Sequence, residues 1–369
     1  MAQEFTLRPR VEIDGAPLSA EVEVLLEHVI VDFHLHTTDM FEVMFRDAEK
    51  QVLTQTKLKI ASKVKISAPP LGGSTPEVLI AGEVTALEGE YDSAGSRAIV
   101  RGYDQSHRLH TGTKSRTFMN TKDSDIASTV ASDHGLSGGT IDDTKTVYDH
   151  VYQHNQSDWD FLWQRANRIG FEVAVADGKL FFRKPTQASD APAQGDYQSS
   201  DPLQLVFGQD LIAFYPRISA VGQVKEVKGR GWDQKNKQEI TSSAPAETSS
   251  VKLPTTPAGL AEAFGHSWTF TMDDSTLTTQ SALDTAVKAA RDRIGSSAGE
   301  AEGIARGNPK LKAGQAVSVS AVSKEFVGSY TLSKTRHVFD AHGYRTYFTV
   351  SGSLDRSLLG LVSAGAHGR

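Results

Sequence analysis

Cysteine is absent from the 369 residues, which excludes disulfides and thiolate metal sites alike. No apolar run approaches the length needed to cross a bilayer, and the amino terminus, MAQEFTLRPR, lacks the apolar core of a secretory signal. These absences predict a chain made and folded in the cytosol, with no direct membrane anchor. Neither a glycine-rich phosphate loop ending in Lys-Ser/Thr nor the EF-hand spacing occurs. Basic excess is missing too: 39 Lys and Arg against 45 Asp and Glu leave a net charge of -6, which argues against a nucleic-acid partner held by phosphate neutralisation. The one basic cluster, Lys225, Lys228, Arg230, Lys235 and Lys237, reads as a solvated hairpin. The 38% of hydrophobic residues that remain suffice for two or three domains.

Two β-rich regions flank a mixed one. Between Glu21 and Val100, the alternating segments Glu21–Val24, Phe41–Phe45 and Lys63–Ile66 predict strands, separated by turn residues that include Pro69-Pro70 and Gly72-Gly73. Residues 1–103 are thus expected to form a first β-barrel domain, followed by an α+β domain at 104–185. Residues 186–202, rich in Ala, Gln, Ser, Asp and Pro, are expected to form a mobile linker. A second, discontinuous β-barrel is expected over 203–369, interrupted by a similar linker at 241–259 and a helix at about 278–295. That helix carries Leu283, Ala286, Val287, Ala290 and Ile294 on one stripe.

The mixed region is the most specific part of the sequence. Thr121 or Asp123 can cap a short amphipathic helix with Ile126, Val130 and Ala131 on one face and Gly135 at its end. Ser157 caps a second helix whose stripe is Trp159, Leu162, Trp163, Ala166 and Ile169, with Gly170 as its stop. Phe171, Val173 and Val175 then alternate into the Asp177-Gly178 turn, and Leu180 and Phe182 resume the alternation.

In this order, GYDQSHRLH, TKDSDIA, NQSDWDFL, RANRIG and DGKLFFR resemble the hub segment of the VgrG and phage late control D family. KEVKGRGWDQKNKQEI, RGNPKLKAGQAVSVS and FVGSYTLSKTRHVFDAHGYRTYFTVSGS extend the resemblance from about Ala20 to about Asp355. It implies a mainly β fold with an α+β insertion: two β-barrel-like hub domains and a helix-helix-hairpin domain, three chains forming a pseudo-six-fold ring. The implied role is the central hub of a contractile phage-tail-like or type VI secretion-like baseplate, adapting a hexameric inner tube to a trimeric spike. Implied partners are two further copies of the chain, the inner tube protein, a spike or spike-tip protein, other baseplate components, and a cargo or tape-measure protein. VgrG-type spikes continue into an OB-like domain and a β-helical needle, whereas here Ser353–Gly360 is followed only by LVSAGAHGR. The spike is therefore expected as a separate chain or as a domain beyond this sequence.

Four constellations invite a chemical reading. Asp32-Phe33-His34-Leu35-His36-Thr37 resembles the opening motif of metal-dependent PHP-type phosphoesterases, since imidazoles two apart on a strand share a face. Ser132-Asp133-His134-Gly135 mimics their second motif, but at the end of an amphipathic helix rather than after a buried strand. His150 and His154 have zinc-protease spacing, yet Val151 replaces the general-base Glu and the alternation of YDHVYQHN favours a strand. Gly295-Ser296-Ser297-Ala298-Gly299, followed by Asp340 and His342, imitates a nucleophile elbow with the helix on the wrong side of the serine. Trp159 and Trp163 could form a ligand platform, but their helical spacing favours packing. The reading is a non-enzymatic assembly protein with no catalytic, cofactor-binding or metal residue. The alternatives are the tail-tip hub of a non-contractile phage and the metal-dependent phosphoesterase.

Overall fold

The computed structural model describes residues 8–69, 75–195, 201–274 and 276–350. The turns expected at Pro70 and Gly72-Gly73, the middle of the first linker and the C-terminal segment from Ser351 lie outside the described residues.

The N-terminal region runs β1 (Arg10–Ile13), β2 (Ala16–Pro17), α1 (Ala20–Glu23), β3 (Leu26–His34), β4 (Met40–Arg46), α2 (Val52–Thr56), β5 (Lys63–Ala68), β6 (Glu77–Asp92) and β7 (Gly95–Tyr103). Alternation places Val29, Val31 and Phe33 of β3, Phe41, Val43 and Phe45 of β4, and Val64 and Ile66 of β5 in one core. The strand expected at Glu21–Val24 is instead the helical turn α1. Ser19 caps it by accepting from Val22 N–H, and Glu21 and Glu23 lie at its positive end. Four alternating residues fit one helical turn as well as a short strand. A Cβ on Gly102 would strike the Glu83 carbonyl and the Phe41 ring, so only glycine lets β6, β7 and β4 pack this closely.

The mixed region runs α3 (His107–His110), β8 (Lys114–Thr121), α4 (Asp123–Asp133), β9 (Ser137–Ile141), β10 (Tyr148–Gln156), α5 (Asp158–Ile169), β11 (Glu172–Ala176) and β12 (Lys179–Arg183). Lys122 takes the N-cap position of α4, its backbone N–H donating to Asp125 at 3.3 Å, so neither Thr121 nor Asp123 is the cap. Ser157 caps α5 through Asp160 N–H at 3.0 Å, and Gly170 closes it at φ 70°. Asp177 and Gly178 both adopt positive φ, the requirement of a tight two-residue hairpin turn. Trp159, Phe161, Leu162 and Ala166 join Ile126, Val130, Leu180 and Phe182 in a second core. Trp163 does not: it is 37% exposed. Phe161 takes the inward place expected for Trp163, because β8 covers that side of α5 with Phe118 stacked on Phe161 at 5.9 Å.

The remainder runs β13 (Gln204–Val206), β14 (Leu211–Ile218), β15 (Glu226–Asp233), β16 (Gln238–Pro245), β17 (Val251–Lys252), α6 (Pro257–Glu262), β18 (Thr269–Asp273), α7 (Gln280–Ser296), β19 (Gly299–Arg306), β20 (Ala316–Ser320), β21 (Gly328–Thr331), β22 (Lys334–Asp340) and β23 (Gly343–Val350). The stretch 241–259, expected as a mobile linker, instead holds the end of β16, all of β17 and the start of α6. Ser, Thr and Ala suit edge strands whose binding comes from backbone pairing, and Ala244, Ala246 and Val251 are buried there. The first linker is likewise tied down in part: Ala188 is buried, its N–H donates to Ser249 O at 2.6 Å, and Ser320 Oγ donates to Gly195 O at 3.1 Å.

An eleven-stranded sheet, ordered β14-β19-β23-β22-β3-β4-β7-β6-β5-β1-β2, runs through both β regions. The join is the antiparallel pairing of β22 with β3, from Lys334↔His34 to Phe339↔Val29. Phe339 and Tyr344 enter the N-terminal core. Leu205, Val317, Val319, Tyr330 and Phe348 fill the C-terminal one, between β14, β19 and β23 and the four-stranded sheet β13-β20-β21-β17. A fourth core lies where α7 covers the sheet β16-β15-β18, with Leu283, Ala286, Val287 and Ala290 packed on Val227 and Ile240. The mixed unit leans on this helix: Arg168 Nη2 reaches Asp274 Oδ2 at 2.9 Å and Arg293 reaches Asn167 at 3.4 Å.

Candidate interaction surfaces and the buried polar junction

The chemical candidates are dispersed. β3 ends at His34, so His36 sits in the following loop and the pair does not share a strand face. His134 is the C-cap of α4, bonded to Asp158 at 2.7 Å, in a different unit from His34. His150 and His154 point outward from β10 on either side of Tyr152. Ser297 closes α7, its hydroxyl donating to Ile294 O at 2.9 Å and accepting from Gln223 at 2.8 Å, while Asp340 and His342 occupy the exposed β22–β23 turn. Among the described residues no group of three His, Cys, Asp or Glu could hold a metal ion. In the basic cluster, Lys225 pairs with Glu262 and Lys228 with Glu226, each at 2.8 Å.

What the fold does assemble is a set of buried polar centres. Asp158, 3% exposed, accepts from Lys114 at 2.6 Å, Arg116 at 2.8 Å, His134 at 2.7 Å and Gln153 at 3.0 Å. Burial pushes its pKa up, but the bonds from Lys114, His134 and Gln153 and the charge of Arg116 outweigh burial and hold it at about 2. His337 is fully buried between Tyr344 Oη at 2.8 Å and Leu311 O at 2.9 Å. A carbonyl can only accept, so Nε2 carries the proton and Nδ1 accepts from Tyr344. Burial drives this imidazole down to about 3, the carbonyl bond opposing.

A third centre occupies the junction of three units. Phe33, His34 and Asp39 from β3 and its following loop, β11 with Asp177, and Lys312 with Ala313 line a cavity of about 210 Å³, together with Asp104. Lys312 Nζ donates to Val78 O at 2.9 Å and lies over the Phe33 ring. Glu172 Oε1 is held by Arg183 at 2.8 Å, whereas Oε2 is buried without a hydrogen bond. Sequence reading missed Asp39, Asp104 and Lys312, and the only local signal was Asp104-x-Ser106, an Asp that hooks the backbone two residues on.

Exposed apolar side chains occur in both halves of the chain, and some of those in the C-terminal half lie on a sheet edge and beside a groove. β14 forms one edge of the large sheet and shows Ile212 and Tyr215 to solvent, each 51% exposed. The opposite edge, β2, is two residues long and ends in Pro17, a blunt edge that resists pairing. Phe264 and Trp268 flank a groove of about 280 Å³ beside α6 and Val224.

This fold is shared with known proteins. The 43 kDa tail protein of prophage MuSo2 from Shewanella oneidensis matches with a TM-score of 0.67 at 14% identity, over 93% of this chain and 98% of its own. The tail protein of Neisseria meningitidis MC58 matches at 0.66 and 10% identity, over 95% and 97%. An E. coli type VI secretion component, described as structurally similar to T4 bacteriophage tail proteins, matches at 0.57 and 11% identity, over 94% and 78%. At these identities the likeness defines the class of fold: mainly β, as in phage tail proteins, with an α+β insertion. Comparison with curated proteins finds no match. Residues 8–340 match the family described as the Alg8 N-terminal domain, and the chain belongs to that family.

Proposed function

We propose that this chain is a structural hub of the baseplate of a contractile, phage-tail-like injection system, without catalytic function. The observation that carries the reading is end-to-end likeness: two tail proteins share its fold over nearly their whole lengths as well as its own. The type VI secretion neighbour and the hub-like motifs from Gly102 to Arg183 support the same role. Three copies would form a ring, with the inner tube protein on one face and a spike or spike-tip protein on the other. Sheath contraction would drive tube, hub and spike as one body, so the required property is resistance to dissociation.

The open β14 edge fits contact with a neighbouring copy. Among the described residues β14 is the longer of the two sheet edges, and its stretch Leu211–Tyr215, ahead of Pro216 and carrying Ile212 and Tyr215, invites pairing unless covered, whereas β2 is two residues long. Native mass measurement of the intact chain is expected to give trimers, and the double change Ile212→Lys/Tyr215→Lys is expected to shift them to monomers without lowering the melting temperature of the monomer. Monomers of the unaltered chain at high concentration, together with particles lacking three-fold density at this chain, would overturn the reading. Particle images without a sheath would move the hub to a non-contractile tail.

A further inference from the structure

The N-terminal β region and the mixed unit meet along a loosely filled seam. Two cavities lie on it, of about 210 and 420 Å³, and both are lined by the Asp177 turn. The chain enters the mixed unit at Asp104, whose backbone N–H donates to the Asp39 carbonyl at 3.0 Å, so two acids are fixed side by side at the smaller cavity. Asp104 is 5% exposed, and its Oδ1 accepts from the Ser106 N–H at 2.9 Å and hydroxyl at 2.5 Å. Asp39 Oδ1 accepts from His34 N–H at 2.9 Å. The other titratable or charged groups around the pair are the His34 and His107 rings, Asp32 held by Arg336, Glu172 held by Arg183, Asp177, and Lys312. Lys312 lends its charge while donating to the Val78 and Leu79 carbonyls.

We propose that this seam is a proton-sensitive joint: with Asp39 and Asp104 protonated the two units sit closed on one another, and ionisation of the pair in the desolvated cavity loosens the mixed unit. Desolvation raises both acids, Asp104 to about 6 against its bonds from Ser106, and the partly buried Asp39 well above its ordinary value of 3.8, with the charge of Asp104 adding to the rise. A pKa raised in the closed state stabilises that state fully below the free value of 3.8, and the contribution is lost as pH rises through about 6. The joint is therefore tight in mild acid and loose above neutrality. This device is independent of the assembly reading.

Hydrogen exchange of the intact chain at about pH 5 and about pH 8, corrected for intrinsic chemical rates, tests it at residues 104–110. The unaltered chain is expected to open this segment at least about tenfold more readily at the higher pH. Asp104→Asn, which keeps an oxygen to accept from Ser106, and Asp39→Asn are each expected to raise protection at the higher pH and remove most of the difference. Absence of a pH difference in the unaltered chain overturns the proposal whether or not the variants fold. So does an undiminished difference in both variants, or its loss in Glu172→Gln instead.

Discussion

Arg336 on β22 grips Asp32 on β3 through two parallel hydrogen bonds, Nε to Oδ1 at 2.7 Å and Nη2 to Oδ2 at 2.8 Å, across 304 residues of sequence. The pair sits where the two β regions become one sheet. Asp32 is 1% exposed and lies on the face of β3 opposite Val31 and Phe33, the one buried side chain on that otherwise half-exposed face, directly across from Arg336 in the pairing of β3 with β22. Arg336→Ala is expected to cost about 2–3 kcal/mol, below the range for a fully buried pair because the guanidinium is half exposed and screened. Arg336→Lys should recover only part of this, since an ammonium cannot make the two-pronged contact. Urea midpoints check both, and an Arg336→Ala midpoint equal to that of the unaltered chain would show that the sheet holds without the pair.

His337 predicts a loss of stability in acid. Its folded pKa of about 3 lies below the free value of 6.5, so the unfolded chain takes up a proton that the native core refuses. The neutral ring's contribution is complete above about 6.5 and declines as pH falls toward about 3. Stability measured by chemical unfolding across this window should fall less steeply in His337→Gln, which is also expected to be weaker at neutral pH. An unchanged slope would count against the buried neutral imidazole.

Asp158 works in the opposite chemical sense to the Asp39–Asp104 pair. Its folded pKa of about 2 is below the free value of 3.8, so its stabilisation is present above 3.8 and fades as pH falls through about 2. Asp158→Asn is expected to cost about 2 kcal/mol at neutral pH and progressively less in strong acid. A penalty independent of pH would mean that shape, not charge, matters at this centre.

The two tryptophans of α5 should separate cleanly. Trp159 is 3% exposed and stacked on His110 at 4.9 Å, so Trp159→Ala is expected to cost about 3–5 kcal/mol. Trp163 is exposed, and its replacement by Ala should cost less than about 1 kcal/mol. Equal thermal shifts for the two variants would contradict the observed face.

Local signals served where one element's own residues set its geometry. Ser157 and Gly170 bound α5 as their chemistry requires, Asp177-Gly178 makes its turn, and the α7 stripe packs as its spacing predicts. They failed where several elements compete for one side chain. Trp163 has the spacing of a core residue, but Phe161 occupies the side covered by β8. The polar stretch 241–259 reads as loop, yet backbone pairing with β15 and β21 makes residues 241–245 and 251–252 strand. The junction acids were illegible because nothing in the surroundings of Asp39 or Asp104 in sequence says that they meet.

The sequence by itself determined many of the separate elements and their order: the cap and stop of α5, the hairpin turn, the longer alternating strands, the stripe of α7, and an absence of cysteine that leaves packing and hydrogen bonding to hold the fold. Those are properties of a few neighbouring residues, and periodicity carries them. Only the tertiary structure decided that β22 pairs with β3, that Arg336 therefore meets Asp32, and that Asp39, Asp104 and Lys312 share one cavity. Each of these depends on contacts between segments far apart in the chain, where the free energy comes from burial and pairing that no local pattern encodes.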